Sequence, residues 1–102
     1  MDNIIKQTVS EILQKLAERV KQRRLELNLT QKNFAKRAGM GYDAFRKFET
    51  TGEISLRNLV LCAVVLDETD VFNELFTQKK YGSIQDVIKE EEAKKRQRAS
   101  KR

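Results

Sequence analysis

Residues 42–47 bring together four side chains that can hydrogen-bond to a ligand: Tyr42, Asp43, Arg46 and Lys47. At helical spacing they share one side of a helix, opposite Phe45 and Phe48. Lysine can donate to the O6 and N7 atoms of guanine, and aspartate can accept from the N4 amino group of cytosine. This set therefore has the chemistry needed to contact the edges of DNA bases.

The residue types exclude several kinds of catalytic and metal site. The chain has no histidine and one cysteine, Cys62, so zinc-finger ligand sets and Ser-His or Cys-His nucleophile pairs are absent. Acidic residues are plentiful, but their spacing does not converge on a pocket. We therefore expect no enzymatic activity, no metal and no cofactor. Cys62 lies in an apolar run and is expected to be a small buried side chain.

The composition favours one small domain without a membrane span. The 102 residues are 39% apolar and 35% charged, which allows a modest core. The longest apolar run, residues 59–66, is far shorter than the roughly 20 residues of a membrane-spanning helix. The N-terminal stretch MDNIIKQTVS lacks the features of a secretion signal, so we expect a cytoplasmic, nucleoid-associated protein.

The charges are distributed unevenly around the net value of +6. Residues 15–47 hold ten Lys or Arg and three acids, residues 48–92 hold four and ten, and residues 93–102 hold six and none. Such a polarised molecule attracts a polyanion and orients it toward one face. Any one charge run can instead be a solvated surface, and for the basic tail alone we favour that interpretation, so only the overall distribution indicates a nucleic-acid partner.

The apolar residues recur at helical spacing, and no segment alternates with a period of two, so we predict an all-α fold. The first helix runs from residue 4 or 10 to residue 27, with Thr8 and Ser10 marking a break or an N-cap within it. Asn28 then suits a left-handed C-cap position. The predicted apolar stripe of this helix comprises Ile5, Val9, Ile12, Leu13, Leu16, Val20 and Leu27.

Four or five further helices follow. Thr30 is a good N-cap for a second helix that ends near Ala38, and a third runs from Gly41 or Tyr42 to Thr50. Ser55 caps a fourth helix, whose predicted apolar face comprises Leu56, Leu59, Val60, Ala63 and Val64. A short fifth helix bears Val71, Phe72, Leu75 and Phe76, and a sixth segment opens at Ser83.

The junction Gly39-Met40-Gly41 indicates two helices that cross closely. A tight reversal of the chain needs a residue that tolerates positive φ, and Gly39 supplies it. Ala35 is small where the third helix must cross the second. The apolar contacts between them are expected from Phe34, Ala38, Met40, Phe45 and Phe48. Two helices joined by so short a turn form the kind of unit that places its second helix in a DNA groove.

These residues also resemble a known family. The combination of Thr30-Gln31, Phe34-Ala35, Gly39-Met40-Gly41, Phe45 and Phe48-Glu49 is similar to the helix-turn-helix of the Cro/C1-type (XRE) regulators of bacteria and phages. The resemblance covers residues 12–67. It implies a lambda-repressor-like DNA-binding domain of five to six helices. The chain departs from the pattern at Gly41, where the family often has Ser or Thr, and in a loop before Gly52 that is one residue longer.

The resemblance implies roles for individual residues. Gln31 would bond the DNA backbone beside the N-terminus of the second helix. Tyr42, Asp43 and Lys47 would face base edges in the major groove, with Arg46 alongside. Arg24 and Glu49 would form a largely buried ion pair, although Arg24 could instead contact a phosphate. The remaining predicted DNA contacts are Lys32, Gly41, Thr51 and Arg57. A basic flank comprises Arg19, Lys21, Arg23, Lys32, Lys36 and Arg37.

We divide the chain into a DNA-binding domain at residues 1–78, with its helix-turn-helix at 30–50, and a partly disordered C-terminal helix and basic tail at 79–102. One helix-turn-helix contacts few base pairs, so we expect a homodimer that binds a palindromic operator in double-stranded DNA. The fifth helix is the preferred dimer surface, and the N-terminal turns with Ile4 and Ile5 are the second candidate.

The leading function is a sequence-specific transcriptional regulator acting as a repressor. The alternative is a DNA-binding antitoxin and autorepressor of a toxin–antitoxin operon, which would also bind a kinase-type toxin, because small members of the family often serve there. A third possibility is a helical adaptor that binds only protein. It would have few exposed basic groups around residues 42–47, whereas the sequence has many there. RNA binding is disfavoured because aromatic stacking groups are few beyond Tyr42 and Tyr81.

Overall fold

The computed structural model of the protein describes residues 2–79 and 84–100. Six α-helices and no strand occur within those ranges, which confirms the all-α prediction. The helices are α1 Asp2–Glu26, α2 Gln31–Ala38, α3 Tyr42–Thr51, α4 Leu56–Leu66, α5 Asp70–Glu74 and α6 Ile84–Ser100. The predicted cap at Ser83 and the turn at Tyr81 lie outside the described residues. The boundary at residue 78 stays a prediction.

Local chemistry sets the ends of the helices that carry the core. The Thr30 hydroxyl accepts a hydrogen bond from the N–H of Asn33 at 3.1 Å and so caps α2. The Ser55 hydroxyl caps α4 in the same way, 3.1 Å from the N–H of Asn58. Asn28, after α1, has a φ of 58°. All three predicted caps are confirmed, because each satisfies backbone groups that a helix end leaves without partners.

The predicted interruption of α1 is wrong. The helix is continuous, and the Thr8 hydroxyl donates to the carbonyl of Ile4 at 2.9 Å, a bond that an unbroken helix accommodates. Of the predicted apolar stripe, Val20 is buried, and Leu13 and Leu16 are half-buried. The members of the stripe that are exposed are Ile5, Val9, Ile12 and Leu27. Burial begins near Leu13, so the first turns of α1 carry an apolar stripe that the described core does not cover.

The core lies where α1, α2, α3 and α4 meet. Its buried residues are Ala17, Val20, Leu29, Phe34, Ala35, Phe45, Phe48, Cys62 and Leu66. The rings of Phe34 and Phe45 stack with their centres 4.7 Å apart, and Phe48 lies 6.4 Å from Phe45. Offset aromatic pairs of this kind add to the stabilisation that their burial provides. The three phenylalanines therefore fix the angle between α2 and α3.

The predicted apolar face of α4 is partly wrong. Leu56 is 68% exposed and Val64 is 60% exposed. The side chains that α4 turns toward the rest of the protein are Leu59, Cys62, Ala63 and Leu66. Residues 59–66 are all apolar, so the sequence pattern does not show which side of α4 is buried. Packing against α1 and α2 determines the buried side.

The fifth helix is shorter than predicted and ends at Glu74. Leu75 and Phe76 follow the helix rather than lying on it. Phe76 has a φ of 61° and is 99% exposed. Within the described ranges, no helix is both long enough and apolar enough to cross a membrane.

Candidate functional site

The turn between α2 and α3 is set by Gly39. It has a φ of 74°, and its N–H donates to the carbonyl of Lys36 at 3.2 Å. The N–H of Met40 donates to the carbonyl of Ala35 at 3.0 Å. This pair of bonds closes a helix whose next residue is left-handed. The prediction of a positive φ at Gly39 is confirmed, and α3 begins three residues later.

The third helix has one buried and one exposed side. Phe45 and Phe48 are buried in the core. The polar side chains predicted to act together all lie on the exposed side: Tyr42, Asp43, Arg46 and Lys47. Gly41 is the N-cap residue of α3 and makes no side-chain cap. The helix therefore presents a continuous polar surface from its first turn to its last.

The exposed side of α3 carries weak contacts of its own. The Arg46 guanidinium lies 3.8 Å from the Asp43 carboxylate and 5.7 Å from the centre of the Tyr42 ring. The Lys47 ammonium lies 3.2 Å from the carboxylate of Glu53. Exposed ion pairs of this kind contribute little to stability, so a ligand can displace them at small cost.

Arg24 and Glu49 form a buried ion pair behind this surface. The Arg24 Nε lies 2.7 Å from Glu49 Oε2, and Nη2 lies 3.1 Å from Oε1. Arg24 Nη1 also donates to the carbonyl of Leu29 at 2.7 Å. The Arg24 side chain is buried, so this arginine is a structural group that joins α1 to α3.

The structure gives Gln31 a partner that sequence reasoning missed. Its side-chain amide donates to Glu49 Oε1 at 2.8 Å, which adds the start of α2 to the Arg24–Glu49 pair. The Gln31 side chain is therefore half-buried and already bonded to Glu49 in the absence of DNA. Its contact with the DNA backbone stays a prediction.

The other predicted site residues lie on α2, on α4 and at the C-terminal end of α3. Lys32 is exposed in the first turn of α2, and Arg57 is exposed in the first turn of α4. Thr51 ends α3, where its hydroxyl donates to the carbonyl of Lys47 at 2.8 Å and accepts from the N–H of Glu53 at 3.1 Å. Thr51 therefore fixes the backbone after α3, while Tyr42, Asp43, Arg46 and Lys47 lie together on the exposed side of that helix.

One member of the predicted basic flank has a different place. Arg23 is half-buried, and its Nη1 lies 2.9 Å from the carboxylate of Glu68. Its Nη2 donates to the carbonyl of Leu66 at 3.3 Å, at the C-terminus of α4. A cation is favourable at that end of a helix. Arg23 thus links α1 to α4, while the other flank residues are exposed: Arg19, Lys21, Lys32, Lys36 and Arg37.

Cys62 is fully buried, as predicted, and its thiol lies 3.7 Å from the sulfur of Met40. Burial, together with the negative charge of Glu49, raises the pKa of the Cys62 thiol from its ordinary value of 9.0 to about 11. A thiol in that state is a poor nucleophile. Among the residues the structure describes, no cluster of His, Cys, Asp or Glu could hold a metal ion.

Comparison with protein-family models, with curated proteins and with solved structures found no match for this chain.

Proposed function

We propose that this chain is a helix-turn-helix regulator of the Cro/C1 type that represses transcription by binding a specific palindromic DNA operator as a homodimer. The proposal involves no catalytic step and no cofactor, and it assigns the protein to the cytoplasm and the nucleoid. The observation that carries it is the two-sided third helix: Phe45 and Phe48 anchor one side in the core, and the side with Asp43, Arg46 and Lys47 faces outward.

The anchoring of α3 supports its role as the recognition helix. Base readout requires side chains held in a fixed position relative to the groove. The Arg24–Glu49 pair ties α3 to α1, and the Gln31–Glu49 bond ties it to α2. Asp43 and Lys47 would then supply an acceptor and a donor for the base edges in the major groove.

The charge around α3 supports a DNA ligand. Residues 15–47 carry ten Lys or Arg against three acids. Most of these bases are exposed, and Lys32 lies in the first turn of α2, where free N–H groups favour a phosphate. In this proposal Lys32 and Arg57 hold the DNA backbone, and residues 42–47 read the sequence.

Footprinting on the DNA upstream of its own gene, across a salt series, tests the proposal. We expect a protected palindrome with half-sites about 34–36 Å apart, which persists at moderate salt. Lys47→Ala should weaken the specific footprint by about 10-fold or more and relax the preference at one base pair. Lys6→Ala is the matched control, because it removes the same charge from the exposed first turns of α1.

The proposal fails if no DNA segment is protected above the level of random sequence. It also fails if Lys47→Ala and Lys6→Ala bind the operator equally well, because α3 would then not be reading bases.

The function as an antitoxin and autorepressor stays a prediction. It shares the DNA-binding face and adds a toxin partner. Purification of the chain together with its neighbouring gene products separates the two: a stable complex with a second protein favours the antitoxin, and a complex with DNA alone favours the simple repressor.

A further inference from the structure

A largely apolar groove lies between α1, α4 and α5. Its volume is about 400 Å³, and its apolar lining includes Leu16, Val20, Leu59, Ala63, Leu66 and Phe72. A cavity of roughly 150 Å³ with such a lining is enough to bind benzene. The groove therefore has room for at least one aromatic side chain.

Phe76 is an aromatic side chain without a place in the fold. It follows α5 immediately, is 99% exposed, and has a φ of 61°, which a bulky residue rarely adopts. Two apolar neighbours in the chain are also exposed, Val71 at 56% and Leu75 at 50%. Phe76 thus has a strained backbone conformation, and burial of its side chain within its own chain does not offset that strain.

We propose that a second copy of this chain docks on this face, and that each copy inserts its Phe76 into the groove of the other. Val71 and Leu75 line the groove, and Phe76 directly follows Leu75 in the chain, so one twofold axis can satisfy both at once. A face that carries a projecting group beside its own receptor is self-complementary, as a twofold interface requires. The inference deepens the proposed function, since it rests on the proposed homodimer and assigns its interface.

Charge complementarity favours a second copy over another partner. Residues 67–74, which include α5, carry Asp67, Glu68, Asp70 and Glu74 and no base. The rim of the groove on α1 carries Arg19 and Arg23. Arg23 is paired with Glu68 of its own chain, so the exposed Arg19 is the cation that faces an incoming α5. Its partners are Asp70 and Glu74 of the second copy.

A stable dimer needs a larger face than the groove alone offers. Interfaces of that kind bury about 800 Å² on each partner. Leu16 lines the groove, and Ile12, Val9 and Ile5 continue the same side of α1 at spacings of four and three residues. All three are at least half exposed. The apolar surface therefore extends from the groove along the first half of α1.

Sedimentation equilibrium over a concentration series tests this interface. The wild-type mass should rise from 11.9 kDa toward twice that value. Phe76→Asp should raise the dissociation constant of the dimer about 30-fold or more, as loss of a central anchor does. Leu56→Asp is the matched control: Leu56 is 68% exposed but does not line the groove, so this variant should dimerise like the wild type. Circular dichroism checks that both variants stay folded.

A cross-linking measurement identifies the contact itself. Phe76→Cys is mixed with Arg19→Cys, one of them carrying a size tag, and treated with a short bis-maleimide. The buried Cys62 does not compete. A mixed cross-linked species is expected, and Phe76→Cys mixed with Leu56→Cys should give none.

A monomeric wild type at all concentrations overturns the inference, as does a Phe76→Asp variant that dimerises normally. These results are independent of DNA. If the wild type dimerises through Phe76 but protects no operator, the interface stands and the proposed function falls. If Phe76→Asp is a monomer that still protects a single half-site weakly, both stand.

Discussion

The guanidinium of Arg24 contacts the carboxylate of Glu49 on α3 and the carbonyl of Leu29 before α2. Glu49 in turn accepts a bond from Gln31. Removing the guanidinium leaves a carboxylate whose side chain is only 4% exposed without its cation. We expect Arg24→Ala to lower the free energy of unfolding by about 3–5 kcal/mol.

Urea unfolding monitored by circular dichroism measures this effect. Arg46→Ala is the control, because the Arg46 side chain is exposed and its loss should cost less than about 0.5 kcal/mol. Equal unfolding midpoints for the two variants would contradict the structural role of Arg24.

The thiol of Cys62 predicts a pH dependence of stability. Its folded pKa is raised to about 11 from 9.0, so the neutral form is favoured in the folded state. Below pH 9 the thiol is protonated in both states and its contribution is complete. Between pH 9 and 11 the unfolded state binds fewer protons than the folded state, so stability falls as pH rises. A difference of two pKa units corresponds to a loss of roughly 3 kcal/mol at most.

Unfolding free energies measured from pH 8 to 11 check this expectation. The comparison is with Cys62→Ala, which removes the thiol and keeps every other titratable group. The slope with pH should be steeper in the wild type. An identical slope in the two proteins would show that the thiol does not contribute.

Sequence reasoning at this scale succeeds where one or two neighbours decide the outcome. Thr30 and Ser55 cap helices through N–H groups three residues away, and Gly39 supplies a φ that other residues resist. The bond between Gln31 and Glu49 was missed because its groups are 18 residues apart and meet only once α2 and α3 are packed.

At the scale of elements, α4 and α1 show what hydrophobic periodicity leaves open. In α4 the run 59–66 is apolar on every side, so only packing decides that Leu66 is buried and Val64 exposed. In α1 the hydrophobic periodicity is clear, but it does not show how far along α1 the other helices of the core extend. Ile5 and Val9 belong to the same stripe as Val20 and remain exposed.

The approach of the end of α3 to α1 depends on Gly52. A Cβ atom at Gly52 would lie 2.9 Å from two atoms of Leu13, and its φ is 83°. Gly39 has a φ of 74°, but a Cβ atom there meets nothing within 4 Å. We therefore expect Gly39→Ala to cost about 1–2 kcal/mol from backbone conformation alone. Gly52→Ala should cost more, because α1 and α3 must also separate.

Thermal or urea unfolding of the two variants ranks these costs. Gly41→Ser serves as the control, because Gly41 has a φ of −66° and open space around it. A serine there can cap α3 and should change stability by only a few tenths of a kcal/mol. If Gly39→Ala proved as damaging as Gly52→Ala, the close contact with Leu13 would not matter.

At the scale of the whole molecule, two faces carry different chemistry. The outer side of α3 and the basic residues around it are polar, and the groove with Phe76 is apolar and bordered by the acids of α5. The sequence predicted the polar face, because its residues are close together in the chain. It also predicted an uncovered apolar surface at the fifth helix. The groove itself could not be predicted, because it forms between three helices and hydrophobic periodicity does not give their relative positions.

The proposed DNA contacts of α2 and α3 differ in kind, since Lys32 would bind a phosphate and Lys47 a base, and this difference predicts how DNA affinity depends on salt. Phosphate contacts release counterions, so the logarithm of the DNA affinity falls with the logarithm of salt concentration by about 0.9 for each phosphate neutralised. Lys32→Ala should lower the magnitude of that slope by about one for each protomer bound, and should weaken operator and random DNA equally. Lys47→Ala should instead reduce the ratio between the two affinities, because Lys47 is proposed to read a base. Fluorescence anisotropy with both DNAs at several salt concentrations measures slope and ratio together, with Lys6→Ala as the charge-matched control. If Lys32→Ala changed the ratio and Lys47→Ala only the slope, the roles of α2 and α3 would be reversed, and the polar side of α3 would be a phosphate-binding surface rather than a reader of sequence.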